Sequence, residues 1–308
     1  MYKFQLVIIF SIITVFSYTQ NIKFTTKKIF LNPSDTLNNC YTIVYPKSIP
    51  YKSFLILIPG FGQTSSDVFL QSDLPTKFAK NGILTIIPSL SEGEFSFGLD
   101  SSSQKSLSLI YKDVTSKIKL LDAKFYIGGF SLGGSCAIKF AEESEIKPNA
   151  VFAIDPPLDF ERVFNSAERN IRQAEEGNIN PESVFLVKKL IQLNGGAPYE
   201  RKHSYYQMSP YSFNDSTQKA VKKLVNIPIK IFCEPDINWW INERNSDLYT
   251  MNVLDCSAFI NELNKFGNQS ASLELSQNKG VRKPSNSKHP HSWSIVDSNT
   301  LIKWLLIH

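Results

Sequence analysis

Four short, nearly uninterrupted apolar runs constrain this chain more than anything else in it. Phe54-Leu55-Ile56-Leu57-Ile58 is apolar at every position, and residues 83–87, 125–127 and 149–154 follow the same pattern. A strand wetted on one face alternates polar and apolar residues. A run without alternation fits a strand covered on both faces, as in parallel sheets. Apolar residues at helical spacing fill the intervals, over 66–80 (closed by Asn81-Gly82), 101–120 and 132–142. Strand and helix in alternation predict an α/β fold with a mostly parallel, doubly wound sheet.

Two further β-rich segments, 22–30 and 41–45, precede this series. The rhythm breaks at Pro156. From about 159 to 225 the chain turns polar and helical, with helices predicted over 161–176 and 181–193, a Gly195-Gly196 turn and a Tyr-rich stretch. A strand over 228–233, a helix over 246–265, a strand over 272–276 and a last helix over 297–307 resume the rhythm. At 308 residues the chain fits one large α/β domain interrupted by a helical insertion. Hydrophobic residues at 42% and charged residues at 20% exclude a disordered or fibrous chain. The net charge of +5 is spread over doublets such as Lys27-Lys28, Lys188-Lys189 and Lys222-Lys223, and no basic stripe points to a nucleic-acid partner.

Residues 1–19 read as a secretory signal peptide. Lys3 precedes an apolar run from Phe4 to Phe16, and Ser17-Tyr18-Thr19 sets small residues before a cut at Gln20. The run is shorter than the ~20 residues a spanning helix needs. The expectation is therefore an extracytoplasmic protein, secreted or periplasmic, of residues 20–308, without stable membrane insertion after cleavage. Cys40, Cys136, Cys233 and Cys256 lie far apart in apolar segments, which favours buried free thiols over a metal cluster and leaves one disulfide open.

Gly129-Phe130-Ser131-Leu132-Gly133-Gly134 follows a short buried strand and opens a helix, the context that makes G-x-S-x-G a nucleophile elbow. The sharp turn lifts the Ser131 hydroxyl above the sheet edge, and the helix start beneath it favours negative charge. A strand-to-helix turn with glycines for packing alone is the bland reading of the same residues. No Lys-Ser or Lys-Thr pair follows the glycines of either loop, so a P-loop is excluded. The spacing also lacks G-x-G-x-x-G, and no cofactor is expected.

On these residues the chain resembles α/β-hydrolases of the secreted esterase, lipase and peptidase type. The likeness runs from about residue 22 to the C-terminus, with the insertion as a cap between the sixth and seventh core strands. It implies Ser131 as nucleophile, followed in chain order by an acid and then a histidine. For the base it points to the loop His289-Pro290-His291-Ser292-Trp293, with His291 favoured and His289 as competitor. His203 lies in the insertion and His308 is the terminal residue. For the acid it points to the turn after strand 228–233, where Asp236 leads and Glu234 is the alternative; Asp155, after the preceding strand, is a third. The oxyanion donors implied are the N–H of Leu132 and one from Pro59-Gly60-Phe61-Gly62-Gln63-Thr64, either Phe61 or Gly62. This loop lacks the His-Gly start frequent in the family.

The implied activity is hydrolysis of a carboxylic ester through a Ser131 acyl-enzyme, with a small-molecule ester or a peptide as substrate. A peptidase of the same fold and a catalytically silent binding module are the alternatives. Tyr205, Tyr206, Tyr211, Phe213 and Trp239-Trp240 are compatible equally with an aromatic cleft and with simple packing of the insertion.

Overall fold

Both faces of the central strands are covered, which accounts for their unbroken apolar sequence. In β3 (Ser53–Ile58), Phe54, Ile56 and Ile58 enter one core cluster and Leu55 and Leu57 the other. The structure is a computed structural model, and it describes residues 24–35, 37–46, 50–118, 123–175 and 179–308. The segment expected to be a signal peptide lies outside them. Among the described residues no helix is long and apolar enough to cross a membrane.

β1 (Phe24–Phe30), β2 (Cys40–Pro46), β3, β4 (Ile83–Ser89), β5 (Lys124–Phe130), β6 (Ala150–Ile154), β7 (Ile229–Cys233) and β8 (Ala271–Leu275) form one sheet. Their order is β1-β2-β4-β3-β5-β6-β7-β8, antiparallel at β1 and β2 and parallel from β4 onward. Helices α1 (Ser65–Gln71), α2 (Leu74–Lys80), α3 (Ser101–Ile118) and α4 (Leu132–Glu143) lie in the crossovers. The single helix expected over 66–80 is two. Thr64 and Asp67 close a capping box on α1, Ser72 turns extended, and Pro75 sits in the first turn of α2.

Between β6 and β7 the chain forms α5 (Phe160–Gln173), α6 (Pro181–Asn194), α7 (Pro198–Met208) and the short α8 (Lys219–Lys222). Phe160, Phe164, Leu190 and Tyr205 of this insertion share a buried cluster with Phe97, Leu99 and Leu132 of the sheet domain. After β7 comes α9 (Ile237–Arg244), then α10 (Val253–Lys265) and α11 (Ser298–Ile307); Val281–Arg282 (β9) and Ser287–Lys288 (β10) pair in a small hairpin. The helix expected over 246–265 starts only at Val253, and α9 carries no buried residue to mark it in the sequence.

A buried ion pair ties the insertion to α10. Arg162 donates through Nε to Asp255 Oδ1 at 2.5 Å and through Nη2 to Asp255 Oδ2 at 2.6 Å, and the two side chains are only 10% and 4% exposed. Asp255 Oδ2 also accepts the N–H of Asp159, whose own carboxylate caps α5. Removing one partner strands a desolvated charge. Asp255→Ala is expected to destabilise the protein by about 3–5 kcal/mol, read as a shift of the urea midpoint.

Candidate active site

β5 delivers Ser131 into a turn that only glycines can flank. A Cβ on Gly129 would stand 2.5 Å from the Gly133 backbone, and one on Gly133 would stand 2.3 Å from the Pro59 carbonyl oxygen. The elbow is thus pressed against the end of β3 with no room for side chains. Ser131 itself takes φ 54°, ψ −127°, a conformation costing about 1–3 kcal/mol in a non-glycine residue. Its N–H bonds to Ile154 O at 2.8 Å, and its carbonyl accepts from Gly134 N at 2.9 Å, so the strained turn is held from both sides.

His291 lies beside the elbow. Its ring packs 4.6 Å from that of Phe130, which in turn lies 5.3 Å from Trp293. His291 Nδ1 is 2.6 Å from Asp155 Oδ2, with the two side chains 17% and 11% exposed. This bond commits Nδ1 and leaves Nε2 for the substrate side. Asp155 follows β6 in a left-handed turn with φ 46°, its N–H on Phe232 O at 2.7 Å and its carbonyl on the Asn252 amide at 2.9 Å. Ser131, Asp155 and His291 line one cavity of about 620 Å³, together with Phe61 and Leu132.

The acid expected at Asp236 is elsewhere engaged. Asp236 caps α9 by accepting the Trp239 N–H at 3.1 Å and pairs with Lys288 Nζ at 2.5 Å. The Lys288 bond, supported by the Trp239 N–H, holds its carboxyl below the usual aspartate range. The turn after β7 starts a helix, and its aspartate serves that helix. Glu234, 4% exposed, accepts from Ser276 Oγ, Lys279 N and Gly280 N at 3.0, 2.9 and 3.1 Å. It fastens the loop after β8, which leads through the β9–β10 hairpin to the histidine loop. Among the described residues, the carboxylate on His291 is that of Asp155.

His289 is a packing residue. It is 7% exposed, its ring lies 4.7 Å from Trp239 and 6.1 Å from Trp240, and its Nε2 is 3.3 Å from Arg244 Nη2. Burial, with Arg282, His291 and Arg244 adding like charge, lowers its pKa to about 3.

The turn after β3 separates the two candidate oxyanion donors. Gly62 N–H is spent on Glu94 O at 2.8 Å, Gly60 N–H on Gln63 Oε1 at 3.1 Å, Gln63 N–H on Gly60 O at 3.0 Å and Thr64 N–H on Asp67 Oδ2 at 2.8 Å. Among the described residues this leaves Phe61 with the uncommitted N–H of the turn. Gln63 was not legible as a site residue. Its Oε1 also accepts from Trp293 Nε1 at 3.0 Å, tying the Phe61 turn to the histidine loop through one atom.

The aromatic residues compatible with either a cleft or packing divide between the two. Trp240 lines the cavity, but Tyr205 and Tyr211 are buried packing residues and Phe213 is exposed. Phe61, Phe97, Phe160 and Phe185 supply the aromatic wall instead. All four cysteines are buried free thiols.

No family model matches the chain, and no curated protein matches it in sequence. Solved structures do resemble it in fold. An acylaminoacyl peptidase from Pyrococcus horikoshii superposes with a TM-score of 0.56 at 11% identity over 82% of this chain, which spans 36% of that longer protein. Fluorophosphonate-binding serine hydrolase F of Staphylococcus aureus gives 0.54 at 13% identity, covering 92% of this chain and 98% of its own. An S-formylglutathione hydrolase from Agrobacterium tumefaciens gives 0.54 at 12% identity, with 92% and 94% covered. Strand order, the glycine-flanked serine turn and these superpositions lead to one conclusion: the chain has the α/β-hydrolase fold.

Proposed function

We propose that the protein is a serine hydrolase that cleaves a carboxylic ester through an acyl-enzyme on Ser131. The observation that carries this reading is the His291 Nδ1–Asp155 Oδ2 bond of 2.6 Å, in the cavity that the strained Ser131 also lines. In this reading His291 Nε2 takes the hydroxyl proton as Ser131 Oγ attacks the ester carbonyl. Phe61 and Leu132 N–H groups and the start of α4 stabilise the oxyanion. The C–O bond to the leaving alkoxide then breaks, and the alkoxide departs with the proton from His291. Water, deprotonated by the same imidazole, attacks the acyl carbon, releases the acid and restores Ser131. Asp155 fixes the imidazole tautomer and stabilises the imidazolium. The serine hydrolases and esterolytic proteins among the structural neighbours favour the same chemistry, and the apolar N-terminal run favours an extracytoplasmic site of action.

A fluorophosphonate probe tests the nucleophile directly. The expected result is stoichiometric labelling on the Ser131 peptide by mass spectrometry, with none in Ser131→Ala. An unlabelled parent protein that is folded and monodisperse would sink the proposal and favour a silent binding fold.

A further inference from the structure

We infer that the esters this site takes carry an aryl ring within a few bonds of the scissile carbonyl; the inference rests on the serine-hydrolase reading of Ser131. The apolar wall beside Ser131 is built from phenylalanines that four separate segments bring together. Phe61 comes from the turn that also holds the uncommitted N–H, Phe97 from the loop before α3, Phe160 from the start of α5 and Phe185 from α6. Phe61 lies 5.7 Å from Phe97 at 74° and 5.3 Å from Phe185 at 40°. Phe97 lies 6.4 Å from both Phe160 and Phe185, at 50° and 51°.

None of these pairs is stacked face to face. The cluster is a set of tilted and edge-on contacts at the spacing aromatic quadrupoles prefer. In this cluster the half-buried Phe61 and the exposed Phe185 keep ring surface for a further planar ring in the same geometry. Phe97 and Phe160 are each 1% exposed and fixed by packing, whereas Phe185 stands 41% exposed on the helical insertion. Phe185 is therefore the member of the wall that a ligand covers on entering. Because Phe61 shares a residue with the proposed oxyanion donor, a ring against it sits close to the reacting carbonyl.

Apolar area alone would favour a saturated ring equally, so the discriminating comparison holds size constant. Hydrolysis by the full-length mature chain is followed by pH-stat for ethyl phenylacetate against ethyl cyclohexylacetate, and for benzyl acetate against cyclohexylmethyl acetate. The first pair places the ring on the acyl arm, the second on the alcohol arm. The aryl ester is expected to have a roughly fivefold to tenfold higher kcat/KM in one pair, the size of one or two ring contacts beyond area burial. Phe185→Leu, at a half-exposed position that tolerates the change, is expected to bring that ratio below about twofold, with Ser131 labelling by the fluorophosphonate confirming an intact site. Equal rates within both pairs in the parent overturn the inference, as does a preference that survives in Phe185→Leu. Labelling of Ser131 with no hydrolysis of any of the four esters also overturns it, while leaving the serine-hydrolase reading in place. Absence of labelling removes that reading and this inference with it.

Discussion

Asp155→Asn is expected to lower kcat for ester hydrolysis about 10⁴-fold, while Asp236→Asn stays within about threefold of the parent. The carboxylate of Asp155 accepts a hydrogen bond from His291 Nδ1–H at 2.6 Å. An asparagine there keeps the shape but offers an amide, which either repels the Nδ1–H or favours the tautomer with its proton facing Ser131. The second form carries its proton on Nε2 and cannot take one from the serine, and in either form the imidazolium loses the carboxylate that stabilises it. The backbone should survive, because Asp155 sits at φ 46° and asparagine enters the left-handed region as readily as aspartate. At Asp236 the substitution leaves the α9 cap in place, since asparagine caps as well as aspartate does. Only the exposed contact with Lys288 is lost, worth about 1 kcal/mol or less. Both variants are compared by kcat on one activated ester and by melting temperature. A dead Asp236→Asn beside an active Asp155→Asn would return the acid to the turn after β7.

That sequence reasoning ranked Asp236 above Asp155 has a definite physical cause. β6 and β7 are neighbouring parallel strands, and each ends in a carboxylate, Asp155 after one and Glu234-Pro235-Asp236 after the other. Their ends touch, with Asp155 N–H on Phe232 O at 2.7 Å, so both turns lie near the site. What separates them is side-chain direction, set at Asp155 by a positive φ and at Asp236 by the helix it caps. The α9 segment Ile-Asn-Trp-Trp-Ile-Asn-Glu-Arg is short and carries no fully buried residue, so neither the helix nor its capping aspartate stands out. Ser131 was legible for the opposite reason. Its turn is local, and the glycines that the close approaches at Gly129 and Gly133 require stand within five consecutive letters. The parallel strands were legible because two-sided burial shows in composition. Gln63 and the phenylalanine wall are products of tertiary structure. Trp293, 230 residues beyond Gln63, supplies the other end of its bond, and no local pattern encodes that pairing.

The two histidines of one loop are expected to separate completely. His291→Ala should cut turnover by about three orders of magnitude or more and remove rapid fluorophosphonate labelling, because the imidazole that lines the Ser131 cavity is lost. His289→Gln should retain most of the activity, since His289 packs on Trp239 and Trp240 with Arg244 at its Nε2, and its ring stands 6.5 Å from that of His291. Its effect belongs to stability and has a direction in pH. Burial, reinforced by Arg282, His291 and Arg244, keeps His289 neutral in the fold down to a pKa of about 3, whereas in the unfolded chain it protonates near 6.5. Between these values the unfolded state binds the extra proton, so this residue's contribution is fully present above about pH 6.5 and drains away as pH falls toward 3. The urea midpoint of the parent should therefore fall relative to that of His289→Gln as pH is lowered from 7 to 4, whichever of the two is the more stable at neutral pH. Parallel midpoints across that range would mean that His289 is not the buried neutral group its surroundings dictate. Loss of turnover near neutral pH belongs to some other group, because His289 is held neutral there. A variant at His289 that lost activity while His291→Ala kept it would exchange the two roles, and would require the Asp155 bond to His291 to be structural alone.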